Sequence, residues 1–165
     1  MGAELQSILI GTLGLAVAAA VALALALARG VPAAALATVR RLTLLGVLAH
    51  LAHFAEETST AFYQRFPELL GLAPWPLPFF VSFNVAWVAL WLASIHLLGR
   101  FPRAAGFPVW FLAIASAANG VVHPLLAVMV AGYFPGLWTS PLVGVAGVLL
   151  WRGLSGRGGP AVPTA

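Results

Sequence analysis

Between Glu4 and Arg29 the chain carries no charged residue. That run, from about Leu5 to Ala28, matches the roughly 20 apolar residues a helix needs to cross a hydrocarbon core. Four further stretches follow at about Leu42–Phe62, Pro78–Leu98, Phe107–Ala131 and, shorter, Gly136–Trp151. Backbone groups in lipid have no water to bond, so Leu- and Ala-rich runs of this length read as helices. Charged residues are only 7% of the 165 and hydrophobic ones 62%, where a soluble domain carries about 25% charged. A soluble globule is excluded. The expected fold is all-α: a polytopic membrane bundle of five transmembrane helices. It forms one domain over residues 1–154, with a flexible Gly/Pro-rich tail over 155–165.

Arginine placement predicts the topology. Arg29, Arg40, Arg41, Arg100, Arg103, Arg152 and Arg157 fall on one side of such a bundle, and Arg65 alone falls on the other. Positive charge marks the cytoplasmic face, which puts the N-terminus outside and the C-terminus inside. The first stretch lacks the basic start and short apolar core of a cleaved signal, so it is expected to be retained. The expected location is a bacterial-type inner or plasma membrane. The net charge of +4 comes from scattered Arg, so the expected surroundings are lipids and not nucleic acid. Small residues Gly14, Ala18 and Ala22 on the first helix would allow close packing within or between chains, so an oligomer is compatible with the sequence. No Cys is present, which removes thiolate chemistry and Cys-based metal sites.

The second stretch holds His50, His53, Glu56 and Glu57. At 100° per residue all four share one arc of about 120°. A charged side chain at the centre of a membrane helix costs about 2.5–3.5 kcal/mol, and two adjacent carboxylates repel in low dielectric. No Arg lies inside any of the five stretches. The charge must therefore be met by a bound metal ion, by a proton on a Glu, or by a protonated His. An interhelical polar network is the plainer reading. Such bonds are worth only about 0.6 kcal/mol on average, however, and two His with two Glu exceed that need.

Other helices bring polar groups to the same depth. Asn119 and His123 lie four apart on the fourth stretch, just before Pro124, which is expected to open the backbone. Asn84 and Trp87 on the third stretch are expected to support the site. Thr139 and Ser140 are expected to cap the fifth helix before Pro141.

The segment His53-Phe54-Ala55-Glu56-Glu57 resembles the signature of the HXXEE-motif family of integral membrane proteins, as does the later Asn119…His123 and Tyr133-Phe134-Pro135-Gly136 pattern. The resemblance implies that His53, Glu56 and Glu57 matter, and it implies no particular reaction.

The ligand count restricts the chemistry. Two Glu and three His fall short of the four Glu and two His of a ferritin-like di-iron centre. A mononuclear site is within reach, drawn from His50, His53, Glu57 and His123 and suited to Zn²⁺, Fe²⁺ or Mn²⁺. The leading expectation is a membrane-embedded, metal-dependent enzyme acting on a lipidic or apolar substrate. Glu56, Glu57 and His53 would take catalytic roles, with Glu56 as general base or as a support behind the metal ligands. The alternatives are a metal-free isomerase or cyclase using a protonated Glu, a proton or metal-ion carrier, and a haem- or chlorin-binding subunit with His53 and His123 as axial ligands.

Overall fold

The first apolar stretch is not one straight helix. In the computed structural model, which describes residues 2–156, α1 (Ala3–Gly11) and α2 (Leu13–Arg29) meet at Thr12 with a bend of 46°. The Thr12 hydroxyl donates back to the Ile8 carbonyl at 2.7 Å, a bond that competes with the helical ladder. Gly11 faces the Trp75 indole at the break, where a Cβ would collide with the ring.

After Gly30, in the left-handed region at φ 61°, a 3₁₀ turn (Ala33–Ala35) leads into α3 (Leu36–Ser59). A short α4 (Phe62–Leu69) follows a left-handed Ala61, and α5 (Leu77–Leu97) starts behind Pro76. The chain ends in α6 (Gly106–Met129) and α7 (Ser140–Leu154). α6 continues through Pro124 where the sequence predicts an opening. The described residues contain helix and no strand.

Three helices are long and apolar enough to cross a membrane: α3 with its 3₁₀ turn, α5 and α6. The α1–α2 pair makes a fourth if it is one bent span, while α7, at 15 residues, is a shorter apolar helix. The tail expected beyond residue 154 is described only to Gly156; residues 157–165, Arg157 among them, lie outside the described residues.

α6 stands at the centre, with α7, α2, α5 and α3 packed on it, and α3 also packs on α7 and α5. Val109, Trp110, Leu112 and Ala113 of α6 are completely buried, as are Ala22 and Ala26 of α2. Glycines allow α7 its close approach: a Cβ on Gly120 would stand 2.6 Å from the Gly144 Cα. The helices turn Leu13, Leu48, Val85 and Val128 outward and His53, Glu57, Asn84 and His123 inward. That inversion of the soluble pattern suits a lipid surround. Of the four Trp that stand near helix ends, Trp75 and Trp110 are buried, whereas Trp138 and Trp151 are exposed as interfacial anchors would be.

Candidate metal centre and its cavity

α3 buries His50, His53 and Glu57 and leaves Glu56 half-buried on its flank. The site lies toward one end of the bundle. Glu57 is two residues before the end of α3 and His123 six before the end of α6. Both termini lead into the segments that cover them, α4 and the α6–α7 connection.

His53, Glu57 and His123 converge. The Glu57 Oε1 lies 3.5 Å from His53 Nε2 and 3.4 Å from His123 Nε2, and the three ligand atoms fall within 4.8 Å of one another. Two zinc ligands at about 2.05 Å from the ion in tetrahedral array are roughly 3.3 Å apart, so both carboxylate–imidazole edges have the span of a coordination shell. Asn119 Nδ2 approaches His53 Nε2 at 3.4 Å. Among the described residues, these two imidazoles are the only groups within ion-pair range of Glu57.

The outer bonds of each imidazole fix where its proton sits. His123 Nδ1 is 2.6 Å from the Pro135 carbonyl, which can only accept, so Nδ1 carries the hydrogen. His53 Nδ1 is 2.8 Å from Thr139 Oγ1. The Thr139 hydroxyl already donates to Glu56 Oε2 at 2.6 Å, so it accepts from His53 Nδ1–H. With Nδ1 as the donor, each ring in its neutral form turns its Nε2 lone pair toward the Glu57 carboxylate, and the Asn119 amide also donates toward that of His53. Metal-binding histidines are oriented in this way, by an acceptor on the far ring nitrogen.

Glu56 faces away from this centre. Its carboxylate takes four donors from the α6–α7 connection: the Tyr133 hydroxyl at 2.7 Å, the Trp138 N–H at 3.1 Å, and the Thr139 N–H at 2.8 Å together with its hydroxyl. It is a clamp on the loop that supplies Pro135 and Thr139. Burial, and then the carboxylate it serves, push the Tyr133 phenol above its ordinary value, so it stays a donor. Thr139 stands at the start of α7 but makes no side-chain cap; the sequence reading of it as a cap missed its place between Glu56 and His53. Gly136, at φ +86°, lies against both rings: an added Cβ would come within 2.5 Å of His123 and 2.8 Å of His53. The Pro135-Gly136 turn signal marks the loop in the sequence, but not that it closes the site.

His50 does not join the cluster. It lies almost in line with Glu57 but two turns earlier on α3, edge-on to Trp91 with centroids 4.8 Å apart. Arg65, the one basic residue near in sequence, turns to the Tyr133 carbonyl and the Phe134 ring, not to a glutamate. His53 and His123 cross edge-to-face with centroids only 4.6 Å apart, too close to flank a porphyrin as axial ligands.

Glu57 and His123 open on a cavity of about 260 Å³. Its walls come from α1 and α2, α4, α5 and α6, and are mostly aromatic, with Phe80, Phe83, Trp87 and Phe111 prominent. Trp87 stacks on Phe111 at 4.1 Å. Asn84, Asn119 and His50 also line it, whereas His53 and Glu56 do not. The chain is thus a membrane-like helical protein with a buried His/Glu group able to hold a metal ion beside an aromatic cavity. No protein-family model, curated protein or solved structure matches it.

Proposed function

We propose that this chain is a membrane-embedded, metal-dependent enzyme acting on an apolar substrate, with His53, His123 and Glu57 as ligands of one divalent ion of the zinc, iron or manganese type. One observation carries the reading. Two imidazole nitrogens and a carboxylate oxygen converge with both Nδ1 protons committed elsewhere, an arrangement that a metal ion relieves by binding all three and a single proton relieves only in part.

Three protein ligands leave room for a fourth, as catalytic sites require. Such an ion supplies Lewis-acid polarisation, or activation of a bound water. The chain's own residues do the rest. The Glu56 clamp and Thr139 hold His53 in place, the Gly136 loop shields the centre, and the aromatic walls exclude water from the substrate's apolar body. Glu56 in this reading is a positioning residue, since its four donors leave it turned from the cavity.

The topology belongs to the same proposal: α1–α2 as one bent span and α7 as a fifth, with the Arg-rich ends in the cytoplasm. The resemblance of His53–Glu57 to the HXXEE signature is in keeping with it. Elemental analysis of protein purified without chelator tests the reading. About one divalent metal per chain is expected, lost in Glu57→Ala. A folded protein without metal overturns it in favour of a proton on Glu57 bridging to an imidazole, the metal-free acid/base reading.

A further inference from the structure

The cavity has a second polar end that the metal reading leaves unused. His50 precedes Glu57 by seven residues, about 10 Å along α3. Its ring lines the cavity and is 9% exposed, and its Nε2 is buried without a hydrogen-bond partner. Asn84, buried on α5 and lining the same space, donates its amide N–H to the Phe80 carbonyl at 2.9 Å. Such an unpaired buried nitrogen carries a desolvation cost that an incoming polar group relieves.

The space between the two ends is apolar and opens sideways. α2 and α5 both pack on α6 but not closely on each other. The most exposed lining residues are Gly14 on α2 and Ala118 and Val122 on α6, with Leu15 and Ala18 of α2 and Phe83 and Trp87 of α5 part-exposed around them. The opening therefore lies on the flank of the spanning helices, where lipid would stand, and not at their ends. A 150 Å³ cavity holds benzene. By that scale about 260 Å³ encloses about ten non-hydrogen atoms, and their extended length matches the separation of His50 from Glu57.

We propose that the cavity takes an extended apolar molecule ending in a hydroxyl, which enters from the bilayer between α2 and α5 and bonds to His50. Its far end then lies at Glu57 and His123; only this last statement rests on the metal reading. A hydroxyl fits because it both donates and accepts, so it satisfies Nε2 in either tautomer. Asn84 supplies a second polar neighbour, and the aromatic walls take the chain.

The test uses the full chain in lipid nanodiscs and two probes of matched size, ω-bromononanol and bromodecane. Bromine quenches indoles at contact, and Trp75, Trp87 and Trp91 line the cavity. The alcohol should quench at about tenfold lower mole fraction in the bilayer than the alkane, the return expected from pairing a buried polar atom. In His50→Phe the two probes should quench alike, with the alkane unchanged. Equal quenching by both probes in the unmodified protein overturns the proposal, and this arm needs no variant to fold. So does an alcohol preference that survives His50→Phe. An alcohol preference in protein that holds no metal supports the hydroxyl site and sinks the metal reading alone.

Discussion

His53 and Thr139, 86 residues apart in sequence, are joined by a 2.8 Å hydrogen bond, and the same threonine hydroxyl binds Glu56 at 2.6 Å. Two neighbours on α3 are thus tied through one side chain at the start of α7. Removing the hydroxyl should release both. Thr139→Val is expected to destabilise the protein by about 1–3 kcal/mol and to weaken metal affinity about 10–100-fold, while Thr139→Ser should retain most of both. Thermal unfolding and metal titration of the two variants would show it; equal behaviour of Val and Ser would break the link between Thr139 and the metal.

Among the described residues Glu57 has no Arg beside it, and it is the ligand both imidazoles face. Glu57→Gln keeps the shape and removes the charge, so metal content measured by mass spectrometry should fall at least about tenfold while the helical circular dichroism is unchanged. Full occupancy in that variant would remove Glu57 from the ligand set.

Glu56 separates a clamp from a general base. With four donors on its carboxylate, Glu56→Ala should cost about 2–4 kcal/mol by leaving those donors unpaired. Tyr133→Phe should cost about 1 kcal/mol. Metal should stay bound, more weakly, in both. A Glu56→Ala protein as stable as its parent would contradict the clamp.

Gly136 combines a left-handed backbone with contact against both imidazoles. Gly136→Ala should both strain the loop and displace His123, lowering the melting temperature and metal occupancy together. Gly132→Ala is the control in the same connection. Its Cβ would meet only the Val130 carbonyl at 3.8 Å, and it should be nearly silent. Equal effects from the two would mean that the loop does not close the site.

Much of this was legible before any coordinates. The length of the apolar runs fixes a helical membrane-type chain, because unpaired backbone groups cannot lie in lipid. The periodicity of α3 puts His53 and Glu57 on one face, and the i, i+4 spacing of Asn119 and His123 puts them together on α6. Acidic groups without a basic partner announce a site. The same periodicity misleads at Glu56 and His50. His50 is nearly in line with Glu57 but about 10 Å away along the axis. Glu56 stands at the edge of the arc of about 120° and faces a different neighbour, which packing decides.

That decision belongs to the tertiary structure. α7 comes close to α6 because Gly120 and Gly144 have no side chains to hold them apart, and the loop between these helices therefore descends onto α3. Its carbonyl and hydroxyl choose the imidazole tautomers, and its donors draw Glu56 away. The bend at Thr12 likewise shapes a cavity wall that helix-length counting cannot foresee, and α7 is shorter than its apolar stretch. Composition dictates which groups must be hidden from lipid, since transfer costs are local to each residue. Which of those groups meet is settled by contacts between residues far apart in the chain, and no spacing rule encodes them.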